Sequence, residues 1–301
     1  MQDDVVSKLK KLYPNCDVRL LGSGWTSDAF EAGDKIIRIP KAGVEQYKKE
    51  IVVLDFLQGK LPVQIPHPRL IKKQDFVYAE HKKIEGCSWN ISTYNNLSEK
   101  DQNLFAKDIA HFFAVLHAIP VDQVYQSISP KLLEPYPLEP FDQFKSVLKS
   151  DFSENDLKIL YNFSKKSLFI KPSPVLLHKD FWEANVLVDE KHRLKGVFDW
   201  ANASIGNREW DFKSLYHPVY FALLDKILTF YGQETGYKFT IGDIENLKIG
   251  DSLLCAQYFI RNPHLKNSMS DAWQKTLRNI QKALAKAKSK SGIKMPENTR
   301  S

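Results

Sequence analysis

The spacing of apolar residues changes near Glu85–Gly86, and that change limits the folds open to the chain. Ahead of it, short strand patterns stand between Gly and Pro residues. Val18–Leu21 and Ala29–Glu31 are two of them, and Lys35–Ile39 is a β-branched run closed by Pro40. Residues 69–72 and 75–81 read as a hairpin, with Phe76, Tyr78 and Glu80 on one side and Val77 and Ala79 on the other. Two helical patterns accompany the strands. Val5, Val6, Leu9, Leu12 and Tyr13 share the face of a short helix that ends at Pro14. Val44, Tyr47, Ile51 and Leu54 mark a second helix over about 43–58.

Beyond the change, long helices dominate. Ser98 with Asp101 has the form of a capping box. It opens a helix carrying Leu104, Phe105, Ile109, Phe112, Phe113 and Leu116 down to Pro120. Ser153 with Asp156 opens another. Residues 175–199 interrupt the helices with the apolar pieces PVLLH, NVLVD and KGVFDW, and helical patterns resume from about 209. The expected class is α+β, with a small β-rich lobe over 1–85, a larger helical lobe over 86–301 and a ligand cleft between them.

Composition narrows the function. At 43% hydrophobic and 26% charged residues, the chain can bury enough apolar surface to offset its entropy, which excludes a disordered protein. No apolar run approaches the ~18 residues that span a bilayer, and MQDDVVSKLKKLYPN lacks the apolar stretch of a signal peptide. Cys16, Cys87 and Cys255 form neither a metal pair nor a disulfide framework. A cytoplasmic chain with no membrane partner is therefore expected. The net charge of +7 comes from dispersed bases rather than one stripe, so no nucleic-acid partner is expected. The densest cluster, Lys282, Lys286, Lys288, Lys290 and Lys294, reads as a solvated last turn and tail.

The segment richest in chemistry is His178-Lys179-Asp180-Phe181-Trp182-Glu183-Ala184-Asn185, with Phe198-Asp199-Trp200 after it. Strand–loop–strand geometry would bring Asp180 and Asn185 next to Asp199. Two carboxylates and an amide oxygen suit Mg²⁺, and the remaining carboxylate can take the proton of an attacking hydroxyl. That is the apparatus of phosphoryl transfer. The plainer reading makes these residues turns between strands. In the first lobe, Gly22-Ser23-Gly24 lies on a loop able to bring backbone N–H groups to phosphates, although it is also an ordinary hairpin turn. Arg38 on a strand and Glu50 on the next helix could form a cation and carboxylate in the cleft, or a surface ion pair of little value.

Together these segments resemble the aminoglycoside phosphotransferase family of kinase-like enzymes. The resemblance runs from about Leu20 to about Tyr216 and rests on LGSGWTSDAFEAGDKIIRIPK, Glu50, KIEG at 83–86, LHKDFWEANVLVD and GVFDWANASIGNREWDF. It implies a protein-kinase-like fold with a nucleotide-binding lobe (1–85) and a catalytic and substrate-binding lobe (86–301). It also implies a monomer that moves the γ-phosphate of ATP or GTP, with Mg²⁺, to a hydroxyl of a small-molecule acceptor. Asp180 would orient or deprotonate that hydroxyl, and Asn185 and Asp199 would hold Mg²⁺. Gly22, Ser23 and Gly24 would cover the phosphates. Arg38 would replace the phosphate-binding Lys, with Glu50 as its partner; Lys35 and Lys41 stand near but at the fringing turn and beyond Pro40. The backbone at Lys82–Ile84 would bond the purine, and His178 and Asp211 would support the catalytic loop. Three departures are the Arg at 38, the Asn at 207 where an Asp often stands, and the lack of a full GxGxxG.

Only twelve residues separate Asp199 from Asp211, too few for a protein kinase's activation segment, so a small acceptor fits better. An aminoglycoside is the first choice, which would make antibiotic resistance the role. A polycation of that kind calls for carboxylates, and Glu183, Asp151, Glu154, Asp156, Glu209 and Asp225 are available in the sequence. Trp182 and Trp200 could stack on a sugar ring or a macrolide, or simply pack in the core. Macrolide, choline-like and sugar-like acceptors, or a pseudokinase that binds nucleotide without transfer, are the alternatives.

Overall fold

The computed structural model describes residues 2–24, 27–41, 43–73, 76–134, 137–263 and 265–290. Trp25 and Thr26 of the glycine loop, residue 75 of the hairpin and Lys294 of the tail lie outside them. The chain opens with helix α1 (Gln2–Leu12) and strands β1 (Val18–Ser23), β2 (Ser27–Ala32) and β3 (Lys35–Pro40). Helix α2 (Glu45–Leu57) leads to β4 (Arg69–Lys73) and β5 (Phe76–Lys82). The strands form one antiparallel sheet in the order β1-β2-β3-β5-β4. Alternation along β3 sends Ile37 to one face and Arg38 to the other. On the Ile37 face, Leu9 of α1 closes a small core with Val18, Phe30, Ala32 and Tyr78. Leu12, expected on the inner side of α1, is instead exposed. The contacting stripe runs through Val5, Leu9 and Tyr13 at four-residue steps and leaves Leu12 at its flank.

The second part begins with β6 (Cys87–Ser88), α3 (Ile91–Asn95), α4 (Glu99–Ala118), α5 (Val121–Ser127), α6 (Pro130–Leu133), α7 (Phe141–Leu148) and α8 (Glu154–Ser167). The Ser98 and Ser153 side chains accept the Asp101 and Asp156 N–H groups and so cap α4 and α8. Four short strands follow: β7 (Val175–Leu177), β8 (Val186–Val188), β9 (Leu194–Val197) and β10 (Ser204–Gly206). β10 pairs with β7, and β8 stands between β6 and β9. Helices α9 (Phe221–Thr235), α10 (Ile241–Arg261), α11 (Leu265–Ser268) and α12 (Ser270–Lys290) complete the chain. Arg208–Leu215, expected to start the last helices, forms a 3₁₀ segment instead.

The main core is aromatic. Phe112, Phe113, Phe181 and Phe212 pack round α4 with ring centres 4.8–5.8 Å apart. Val53, Leu54 and Leu57 of α2 belong to this same core. Gln64, on the connector from α2 to β4, donates to Lys195 and accepts from Val197, so the connector pairs with β9. A second core joins α7, α8, α10 and α12 through residues such as Phe144, Leu160, Leu253 and Leu284. Among the described residues no single helix is long and apolar enough to cross a membrane; only the bent pair α4 and α5 passes a test of length and composition, and α4 is lined with buried residues.

Candidate active site

Strand β7 delivers His178, Lys179 and Asp180 into a loop pinned from below by Asp211. The Asp211 carboxylate is fully buried and accepts the His178 N–H at 3.2 Å and the Lys179 N–H at 2.5 Å. It also meets His117 Nε2 at 2.9 Å. Burial holds His117 below the ordinary imidazole value, and Asp211 works against that fall. The neutral ring therefore donates from Nε2 and accepts the Tyr231 hydroxyl at Nδ1. The Asp180 N–H donates to His178 Nδ1 at 3.2 Å, which leaves the ring proton on Nε2, 3.2 Å from the Phe198 carbonyl. Thus His178 and Asp211, expected as supports, lie beneath the loop and tie it to the Phe198–Asp199 segment.

Asn185 closes the same loop. Its side-chain amide nitrogen donates to the Asp180 backbone carbonyl at 2.9 Å, and its backbone carbonyl accepts the Phe198 N–H at 3.1 Å. The Asn185 amide oxygen accepts no hydrogen bond among the described residues, and the Asp199 carboxylate is partly exposed. Asn202 reaches Asp180 Oδ2 at 3.4 Å. Burial, and then the neighbouring Asp199 carboxylate, raise the Asp180 carboxyl above its ordinary value. No group of three His, Cys, Asp or Glu side chains comes together among the described residues. The donor set still fits Mg²⁺, which favours hard oxygens and keeps its other positions for water and phosphate oxygens.

Arg38 faces this cluster from the sheet. Its guanidinium makes two 2.7 Å bonds to the Glu50 carboxylate, lies over the Tyr47 ring at 5.2 Å and stands 3.8 Å from Asp199 Oδ1. Glu50 is almost wholly buried and also accepts the Trp200 N–H at 3.2 Å. This is no surface ion pair. Burial works against the Arg38 charge, but Glu50 and Asp199 outweigh it and hold the guanidinium above its ordinary value.

In the glycine loop the Gly24 N–H bonds the Ser27 carbonyl at 2.8 Å. A Cβ added at Gly22 would meet nothing within 4 Å, so space lies open beside that backbone. Lys41 braces the loop with 2.7 Å bonds to Ser23 Oγ and the Gly24 carbonyl, a role its place beyond Pro40 conceals. The β2–β3 register is the signal that could have found it, since Ser27 faces Pro40 and sets the next residue beside the loop. At the hinge, the Lys82 carbonyl is already engaged by His81 Nδ1 at 2.9 Å and the Lys83 N–H by the Asp34 carbonyl at 2.7 Å. The Ile84 N–H has no partner among the described residues. It is thus open to a purine edge.

Several expected acceptor contacts lie elsewhere. Glu154 pairs with Lys145 and Lys158, Asp156 with Lys288, and the buried Glu209 with Lys171. Glu183 accepts the Ile91 N–H, and Asp225 is exposed on α9. Trp200 is fully buried with its ring 4.5 Å from His178, so it packs the loop rather than meeting a ligand. Trp182 is 44% exposed. Of the lysines expected in a solvated last turn and tail, Lys282, Lys286, Lys288 and Lys290 belong to α12, where Lys286 and Lys290 pair with Glu245. Apolar packing of Ile280, Leu284 and Ala287 carries that helix to residue 290.

A family model described as "Phosphotransferase enzyme family" (APH) matches residues 17–244. Solved structures share the fold. The streptomycin–ATP complex of APH(2'')-IIa is 23% identical with a TM-score of 0.67, over 93% of this chain and 98% of that one. The GDP complex of aminoglycoside 2'-phosphotransferase-IIIa is 18% identical with a TM-score of 0.72, over 94% and 98%. The macrolide 2'-phosphotransferase MphH from Brachybacterium faecium is 17% identical with a TM-score of 0.62, over 92% and 98%. The extent of the family match, from β1 into α10, makes this chain a member of the APH phosphotransferase enzyme family, with its two-lobed kinase-like fold.

Proposed function

We propose that the chain transfers the γ-phosphoryl group of ATP or GTP to a hydroxyl of a small-molecule acceptor, as a monomer in the cytoplasm. One observation carries the reading: Asp180, Asn185 and Asp199 lie on one hydrogen-bonded unit that faces the buried Arg38–Glu50 pair. Asp180 accepts the acceptor's proton as its oxygen bonds to the γ-phosphorus and the bond to the β-phosphate oxygen breaks, releasing the nucleoside diphosphate. The raised Asp180 carboxyl suits a group that must take up a proton. Arg38, aimed by Glu50, holds phosphate oxygens opposite, and the open backbone at Gly22–Gly24 lets N–H groups approach them. The Ile84 N–H is left for the purine edge. Asn185 and Asp199 would hold Mg²⁺, which would neutralise charge on the phosphates.

Named relatives act on aminoglycosides and macrolides, and transfer to an acceptor of either kind would give a resistance function. Product masses test the reaction. The protein with Mg²⁺ and ATP or GTP is incubated with aminoglycosides, macrolides and small hydroxyl metabolites, beside Asp180→Asn. A phosphorylated product that disappears in Asp180→Asn is the expected result. Nucleotide binding with no transfer to any acceptor would favour a pseudokinase instead.

A further inference from the structure

The residue just before Asp180 is out of place for a plain loop position. Lys179 has φ +66°, in the left-handed region that favours glycine. Its ammonium lies 4.5 Å from the centre of the Trp210 ring, and the Lys213 ammonium lies 4.9 Å from the same ring. Lys213 is matched by Asp251 of α10 at 2.7 Å. Lys179 has no carboxylate partner among the described residues. Its ammonium is pushed down to about 8 by burial first, then by Lys213, with Lys49 of α2 adding to the fall and Asp251 and Asp211 working against it. The loop that carries Asp180 therefore holds a cation with no carboxylate bonded to it.

We propose that Lys179, together with Lys213, receives an anionic group on the acceptor, so that the substrate is a hydroxyl compound bearing a carboxylate or a phosphate. The inference rests on the phosphotransferase reading for its reaction, and this cation supplies the substrate class. Lys179 is seated on the Trp210 ring of the 3₁₀ segment, which it shares with Lys213, and that shared ring in the larger part is what assigns it to the acceptor rather than the nucleotide. An ammonium-rich acceptor would meet this bare cation, while the nearest α10 carboxylate is already paired. The net charge of +7 favours the approach of an anion as well.

Four sugars that share one ring separate the cases: glucuronate, glucose 6-phosphate, glucose and glucosamine. Their affinities are measured by calorimetry at pH 7 on protein loaded with Mg²⁺ and a non-hydrolysable ATP analogue. The expected result is that an anionic sugar binds about tenfold tighter than glucose, and glucosamine more weakly than glucose. Glucuronate in the lead identifies a hydroxy acid, and glucose 6-phosphate a phosphorylated alcohol. In Lys179→Met the advantage of the anion disappears while the analogue binds as before, and Lys179→Arg retains it. A flat panel, a lead for glucosamine, or a Lys179→Met variant that loses the analogue instead overturns the inference. Failure of the unaltered protein to bind the analogue at all would remove the kinase reading beneath it.

Discussion

Lys179 holds an ammonium where burial and Lys213 both oppose its charge, and a backbone conformation that costs an ordinary residue about 1 kcal/mol. Its ordinary value is 10.5 and its folded value about 8, so between these pH values the unfolded chain carries the extra proton. Stability from this group therefore climbs as pH rises from about 8 to 10.5. Lys179→Met removes the climb. Thermal melting should show the variant more stable than the parent at pH 7, with the gap closing by pH 10; an equal gap at both pH values would refute this. The candidate side chains close together in sequence, from His178 to Asn185, are legible there because one loop carries them. The setting of Lys179 is not, since Trp210, Lys213 and Asp251 reach it from distant elements. Lys41 is hidden for the same reason.

Among the elements, the hinge crossing is a close fit. A Cβ at Gly86 would lie 3.0 Å from the Val188 carbonyl oxygen and 3.1 Å from Leu187 Cβ, because β6 runs directly onto β8. Gly86→Ala must push the crossing away from β8, at a cost of about 1–3 kcal/mol. Urea denaturation should register that loss, and nucleotide affinity should fall with it as Ile84 is displaced. Unchanged values for both would show that the crossing yields freely. The long helices and the larger strands are legible from their apolar period and their Ser caps. β6 and β10 are not: at two and three residues they show no alternation, and each exists because a partner strand lies beside it. The 3₁₀ form of Arg208–Leu215 likewise follows from where Asp211 must reach.

In the whole molecule the two parts are less separate than their composition. Val53, Leu54 and Leu57 lie in the core of the larger part, Gln64 pairs with β9, and the Trp200 N–H is bonded to Glu50. Calorimetry should give a single unfolding transition whose calorimetric and van't Hoff enthalpies agree. Two resolved transitions would show that the parts melt independently. A division at residue 85 follows the change of apolar period, whereas the core divides elsewhere, because α2 belongs to the small part by sequence and to the large one by packing. The bond from Trp200 to Glu50 reaches further than stability. It fastens the helix that aims Arg38 to the segment that carries Asp199, and β10 clamps the remainder of that segment to β7. Any movement that swung that helix away from the Asp199 segment would first have to break the Trp200–Glu50 bond, so the two ends of the site are built to travel together.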